Sequence, residues 1–108
     1  MGIDKDLLEK AGDNNSNEGL TYVLRLFVTG ASANSVRAIS NLKQICETHL
    51  KGNYSLEIID VYQQKAIAET EQIIALPLLI KTLPLPRKRL VGDMSEKDKV
   101  LRGLGLII

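Results

Sequence analysis

Few side chains in this 108-residue chain could carry out chemistry, and their spacing does not assemble a catalytic site. There is one cysteine, Cys46, and one histidine, whereas a redox dithiol needs two cysteines and a zinc site needs several cysteines or histidines at short spacing. Two acidic pairs, Glu69/Glu71 and Glu96/Asp98, fall on predicted solvent-facing helix turns, where they do not form a general acid and base. With no glycine-rich phosphate motif, the sequence predicts a protein that is not an enzyme and uses no cofactor or metal.

Basic side chains are the other chemically informative feature. Residues 1–19 carry five acids and two lysines, a net charge of −3, and residues 20–108 carry 12 basic and eight acidic side chains, a net charge of +4. Within the basic part, residues 87–89 form the run Arg-Lys-Arg. Nucleic-acid binding is disfavoured because no aromatic residue flanks the run to stack on bases. Two interpretations of this basic run remain open. It is either the solvent-exposed beginning of a strand or a contact surface for an acidic protein partner.

Composition indicates one folded domain preceded by a polar extension. Hydrophobic residues make up 44% of the chain and charged residues 25%, values typical of a globular protein with a single core. Residues 12–19 are polar and turn-forming, which predicts a flexible acidic N-terminal extension over residues 1–19 and a folded domain over residues 20–108. The single cysteine, the lack of a secretory signal and the lack of a long apolar run favour a cytoplasmic protein without a membrane segment.

The first half of the domain has the pattern of a βαβ unit. Residues 21–28 are rich in β-branched and aromatic side chains, which predicts a strand buried on both faces. Apolar residues at three- and four-residue steps predict a helix over residues 34–50, and residues 54–61 predict a second strand. Two strands joined in this way pair in parallel with a right-handed crossover.

The second half of the domain has weaker signals. A weak helical pattern covers residues 63–74, and a short strand is predicted over residues 77–80, where proline is tolerated at the first position. Pro84 and Pro86 lack a backbone donor, so regular structure is excluded around them. Residues 87–92 predict another short strand.

A final helix is predicted near the end of the chain. Residues 95–98 resemble a capping box that opens this helix. Gly103 lies inside the helix, where glycine costs about 1 kcal/mol relative to alanine, and Gly105 ends it. The apolar residues 106–108 predict burial of this segment within an oligomer.

The order of elements, βαβ followed by two strands and a helix, is that of a thioredoxin-like α/β domain. Thioredoxins carry their cysteine pair at the start of the first helix, where this sequence has residues 30–34 and no sulfur. Cys46 falls on the apolar side of the helix and is predicted to be a buried small hydrophobe. Pro77 stands where thioredoxin-like proteins place a cis-proline, so its predicted role is architectural.

The same segments resemble the KaiB family of circadian clock proteins. The resemblance spans residues 20–104, and each segment alone is weakly specific, whereas the ordered set is specific. It is carried by Tyr22-Val-Leu-Arg-Leu-Phe-Val-Thr-Gly30, Asn34-Ser-Val-Arg-Ala38, Gly52-x-Tyr54-x-Leu56-x-Ile58-Ile-Asp-Val61, Ile67-Ala-Glu69, Ile73-Ile-Ala-x-Pro77, Leu83-Pro-Leu-Pro86, Gly92-Asp-Met-Ser95 and Val100-Leu-x-Gly-Leu104.

The resemblance implies a thioredoxin-like protein without enzymatic activity that binds the hexameric ATPase KaiC and modulates its phosphorylation and ATPase cycle. In the cyanobacterial clock, KaiB proteins also help to sequester KaiA. Family members are metamorphic: a self-associating dimer or tetramer converts into a thioredoxin-like monomer that binds KaiC, and the C-terminal half rearranges. Neither nucleic acid nor a membrane is expected as a partner, because no aromatic residue flanks the basic run and no apolar run is long enough to cross a bilayer.

The resemblance also implies roles for individual residues. Basic residues at positions matching Arg37, Lys81 and Arg89 contribute to partner binding in the family, and we add the neighbouring Lys88. Prolines and glycines of the rearranging half are predicted to be structural or to set the balance between the two folds. These are Pro77, Pro84, Pro86, Gly103 and Gly105.

Three departures from the clock-type pattern keep an alternative function open. Gln64-Lys65 stands where clock members tend to have Asn-Pro, Glu57 replaces a basic residue of the second strand, and Gly105 replaces an aspartate. The alternative is a KaiB-like signalling or stress-response module outside a clock, which binds a KaiC homologue or a histidine kinase.

Overall fold

The fold is a four-stranded mixed sheet with helices on both faces. The computed structural model describes residues 22–73 and 75–107, so the predicted extension over residues 1–19 lies outside the described residues. The elements are β1 (Tyr22–Val28), α1 (Ala33–His49), β2 (Tyr54–Asp60), α2 (Lys65–Thr70), β3 (Leu78–Leu83), β4 (Lys88–Val91) and α3 (Lys97–Leu104).

The strand order of the sheet is β2-β1-β3-β4. β1 pairs in parallel with β2 and antiparallel with β3, and β3 pairs antiparallel with β4. Because α1 connects the parallel pair, the predicted βαβ unit is confirmed to within a residue or so at each end. Together with β3, β4 and α3, this unit confirms the predicted thioredoxin-like α/β fold.

The two faces of the sheet are covered unequally, because side chains alternate between faces along each strand. Leu26 and Leu79 belong to the larger core, which lies under α1 and α3. Phe27 and Ile80 belong to a smaller core on the opposite face, under the short α2. The prediction that β1 is buried on both faces holds only at its C-terminal end, because α2 is too short to cover Arg25, which is half-buried.

β3 is longer than the predicted strand over residues 77–80. It runs from Leu78 to Leu83, because Lys81 continues the pairing with both neighbouring strands, opposite Leu24 of β1 and Lys88 of β4. The weak helical pattern over residues 63–74 corresponds to the six residues of α2.

The three prolines flank β3. Pro77 directly precedes the strand, and Pro84 and Pro86 lie in the loop between β3 and β4, as predicted. The peptide bonds before all three prolines are cis, which matches the predicted cis-proline position at Pro77. Their role in a second fold stays a prediction.

α3 does not begin with the predicted capping box. The helix begins at Lys97, and the side chain of its N-cap residue, Glu96, makes no capping hydrogen bond. Ser95 lies before the helix, where its backbone N–H donates to Asp93 Oδ1 at 3.1 Å. The prediction was wrong because this local turn at Asp93 occupies the residue that would have capped the helix.

Two glycines allow α3 to pack and to end. A Cβ atom at Gly103 would lie 2.5 Å from Leu90 Cδ1, so glycine permits the close approach of α3 to β4. Gly105 has a φ of 81° and caps the C-terminus of α3 in the left-handed region, as predicted. Tyr22 Oη donates to the Leu104 carbonyl at 2.9 Å and joins the end of α3 to the start of β1.

We expect Gly103→Ala to destabilise the protein, although alanine favours helices. The added methyl group must displace the side chain of Leu90, and this overpacking costs up to about 3 kcal/mol, against a helix-propensity gain of about 1 kcal/mol. In a Leu90→Ala background the clash is absent, so the same substitution stabilises the protein by roughly 1 kcal/mol. Urea denaturation of this double-mutant cycle measures both effects, and stabilisation in both backgrounds contradicts the packing role of Gly103.

Candidate partner-binding surface

The turn between β1 and α1 carries hydroxyl groups where a redox protein has its thiols. Ser35 is buried, and its hydroxyl accepts from the Thr29 backbone N–H at 3.0 Å and from the Ser32 hydroxyl at 2.8 Å. Cys46 is buried further along α1, and this burial raises the pKa of its thiol to about 11. A thiol with a raised pKa is a weak nucleophile at neutral pH. The turn therefore stabilises the start of α1 and does not supply dithiol chemistry.

Residues 22–73 and 75–107 contain neither a candidate metal site nor a candidate membrane span. No group of three or more His, Cys, Asp and Glu side chains in these ranges could hold a metal ion. None of the helices in these ranges is long and apolar enough to cross a bilayer. The remaining candidates are the four basic residues that the sequence predicts at a partner surface.

Arg37 lies on the exposed side of α1 and is tied to the loop before α3. Its Nε donates to Asp93 Oδ2 at 3.1 Å, and its guanidinium also bonds to Asn34 Oδ1. Asn41 Nδ2 donates to the Asp93 carbonyl at 2.9 Å, so α1 holds this loop at two points. Hydrogen bonds from Ser95 and from Arg37 lower the pKa of Asp93, which keeps this carboxylate ionised. Arg37 is accessible but already paired.

Lys81 does not follow β3 as a surface residue, contrary to the sequence prediction, but lies within the strand. It is 4% exposed, on the face of the sheet that α1 and α3 cover. Burial, and secondly the charge of Lys88, lower the pKa of its ammonium group. The ammonium group of Lys81 makes no hydrogen bond or ion pair with the residues that the structure describes. The prediction was wrong because β1 and β4 both extend far enough to pair with Lys81.

Lys88 and Arg89 are neighbours in sequence but point to opposite faces of the sheet. Lys88 lies opposite Lys81 on the face covered by α1 and α3, whereas Arg89 lies opposite Ile80 on the α2 face. The structure therefore does not bring the four predicted residues into one surface, since Arg37 lies on α1.

On the α2 face, three arginines surround Glu71. Arg25 Nη1 donates to Glu71 Oε2 at 3.2 Å, Arg87 Nη2 donates to Oε1, and Arg89 Nη2 donates to the Glu71 carbonyl oxygen. Arg25 also donates through Nε to Glu57 Oε1 at 3.3 Å. We call Arg25, Arg87, Arg89 and Glu71 the Glu71 cluster.

Of the Glu71 cluster, the sequence predicts Arg89 as a binding residue and Arg87 only as part of the basic run over residues 87–89, and it does not indicate Arg25 or the burial of Glu71. Glu71 is predicted to face solvent, which was wrong, because its side chain is only 18% exposed. Its partners Arg25 and Arg87 are 46 and 16 residues away in sequence, so no local pattern indicates them. The sequence does contain a signal for Arg25, because it is the only charged residue in the apolar strand β1. Its guanidinium lies 5.4 Å from the centre of the Phe27 ring, a cation–π contact.

The fold and the site define a class of protein: a thioredoxin-like domain that lacks redox thiols and presents basic side chains instead. Residues 25–106 match the model of the KaiB domain. The chain is 51% identical over 87 residues to the circadian clock oscillator protein KaiB of a Picosynechococcus species, which covers 81% of this chain and 84% of that relative. It is 48% identical over 87 residues to the protein of the same name from Synechococcus elongatus, with 81% and 85% covered. The chain therefore belongs to the KaiB family.

Solved structures support the fold. The N-terminal domain of SasA from Synechococcus elongatus has a TM-score of 0.65 at 20% identity, covering 93% of this chain and 95% of that chain. The thioredoxin Deadhead of Drosophila melanogaster has a TM-score of 0.67 at 12% identity, with 85% of each chain covered. Identities this low show the fold alone, and that fold is thioredoxin-like.

Proposed function

We propose that this protein is a non-enzymatic KaiB-type clock regulator that binds a KaiC-like hexameric ATPase and modulates its phosphorylation and ATPase cycle. The observation that carries the proposal is the 51% identity to a KaiB clock oscillator protein across 84% of that protein. Buried Cys46, with a pKa of about 11, argues against a redox function. KaiA is proposed as a further partner, and the cytoplasm as the location.

The described fold is the one that the family resemblance links to KaiC binding, and a dimer or tetramer is the proposed second state. Gly105 supports an equilibrium between the two folds that is shifted toward the thioredoxin-like state. Its φ of 81° is readily adopted by glycine and less readily by the aspartate that family members often carry there. The departure at Gly105 therefore favours the fold that presents the binding surface.

Size-exclusion chromatography with light scattering tests the proposal, on the protein alone and after mixing with a KaiC-type hexamer and ATP. Co-elution with the hexamer, loss of the free oligomer peak and a changed rate of ATP hydrolysis are the expected results. If the protein neither co-elutes nor changes the rate after long incubation, a clock regulator is contradicted.

A signalling or stress-response module outside a clock is the second candidate, with a KaiC homologue or a histidine kinase as its partner. Glu57 favours it, because an acid replaces the basic residue of clock members on the edge strand β2, where it pairs with Arg25. Reconstitution with clock components separates the two candidates. A restored rhythm contradicts the second one.

A further inference from the structure

We propose that the Glu71 cluster is a preorganised docking site for the carboxylate groups of an acidic segment on the partner protein, with Glu71 as its positioning residue. The inference deepens the proposed function and rests on it for the identity of the partner. It places the main contact on the α2 face, and it adds Arg25 and Glu71 to the predicted Arg89 and to Arg87 of the basic run.

The cluster has hydrogen-bond donors to spare. The side chains of Arg87 and Arg89 are 49% and 42% exposed. Each uses one nitrogen, Nη2, to contact Glu71 within the described part of the chain, whereas a guanidinium group has five N–H donors. The donors that Glu71 does not use can bind an anion. Paired N–H groups of a planar guanidinium match the two oxygens of a carboxylate.

Glu71 holds the arginines together before any partner binds. Three guanidinium groups this close repel one another unless a carboxylate lies between them. Glu71 contacts Arg25 through Oε2 and Arg87 through Oε1, and its carbonyl oxygen holds Arg89. Since these side chains are already ordered, less conformational entropy is lost when a partner docks.

Two features of this surface favour an acidic peptide over nucleic acid, and neither is its net charge, which with Glu57 is +1 from three positive and two negative side chains. Its aromatic residue, Phe27, is buried and cannot stack on bases. A cleft of about 250 Å³ beside the cluster offers space for an apolar side chain next to the acids. Its lining residues are Arg25, Ala66, Ile67, Thr70 and Glu71.

Arg87→Gln tests the docking site with little risk to the fold, because Arg87 lies in the loop before β4. Arg102→Gln is the matched control, since Arg102 is an exposed arginine on α3. We expect Arg87→Gln to weaken binding to a KaiC-type hexamer with ATP at least about ten-fold, and Arg102→Gln less than about two-fold. If the wild type binds and the two variants bind equally well, the docking site is overturned while the proposed function stands.

The direction in which Glu71→Gln changes the binding affinity distinguishes a positioning role of Glu71 from simple charge attraction. The substitution removes one negative charge, so attraction alone predicts tighter binding, whereas lost positioning predicts binding about three- to ten-fold weaker. Glu69→Gln removes the same charge from the exposed side of α2 and is expected to bind as well as the wild type or better. Thermal unfolding of both variants verifies that folded proteins are compared. Tighter binding by folded Glu71→Gln overturns the positioning role.

A probe independent of KaiC keeps the two proposals separable. A fluorescein-labelled deca-glutamate peptide and a deca-thymidylate are each titrated into the wild type and into Arg87→Gln at low salt. Peptide binding that Arg87→Gln weakens supports the docking site even if the hexamer does not bind, a result that contradicts the proposed function alone. No peptide binding, or oligonucleotide binding as tight as peptide binding, overturns the carboxylate site.

Discussion

We expect Phe27→Ala to lower the free energy of unfolding by about 3–5 kcal/mol. Phe27 is fully buried, and it lies directly between Ile59 of β2 and Leu78 of β3 in the register of the sheet. With Ile80, these residues form the smaller core on the α2 face. Small domains have a total stability of about 5–15 kcal/mol, so the loss removes a large part of it.

The size of the Phe27 effect follows from where the smaller core lies. The cavity left by the ring lies on the α2 face between Ile59 and Leu78, and the backbone hydrogen bonds of the sheet hold these neighbours in place, so it cannot collapse fully. Phe27→Leu keeps most of the volume and is expected to cost roughly 1–2 kcal/mol. Guanidinium denaturation of both variants measures the difference. A loss below about 1 kcal/mol for Phe27→Ala would show that the α2 face has no essential core.

The second large effect is a gain of stability, expected for Lys81→Met. Lys81 is 4% exposed and has no charged or hydrogen-bonding partner among the described residues. Methionine fills a similar volume without a buried ammonium group, so the free energy of unfolding rises by about 1–3 kcal/mol at neutral pH. Lys88→Met changes the exposed neighbour on the same face and is expected to alter stability by about 0.5 kcal/mol or less.

The pH dependence of stability gives Lys81 a second readout. Burial lowers its pKa in the folded protein below the value of about 10.4 in the unfolded chain. Between these two values the unfolded chain binds more protons than the folded protein, so stability rises with pH, and below this window the full cost of the buried charge is present. Lys81→Met removes this rise of stability with pH. Denaturation curves of both proteins, measured from pH 7 to pH 11, can detect the difference. Destabilisation by Lys81→Met at neutral pH would show that the ammonium group is stabilised in the folded protein.

Lys81 also connects stability with the proposed function. A buried basic residue without a partner reduces stability, and proteins keep such residues where activity requires them. If Lys81 contacts the partner, Lys81→Met will bind a KaiC-type hexamer more weakly although it is more stable. Equal or tighter binding contradicts the predicted role of Lys81.

The sequence predicted the first half of the domain well because local patterns determine it. The β-branched and aromatic residues of β1 and the three- and four-residue steps of α1 lie within short stretches of chain. The second half has short elements in which fewer residues contribute to each pattern. There β3 was longer than predicted, and the capping box near Ser95 was wrong, because pairing with β1 and β4 and the turn at Asp93 outweigh local preference.

Residue types and order therefore determined the α/β class, the missing redox thiols, the turn positions and the basic character of the domain. Tertiary structure alone decided which basic residues share a surface. Strand alternation separates Lys88 from Arg89, and the neighbouring strands bury Lys81. Glu71 meets arginines that are 16 to 46 residues away, and such contacts depend on how the elements pack rather than on any local pattern.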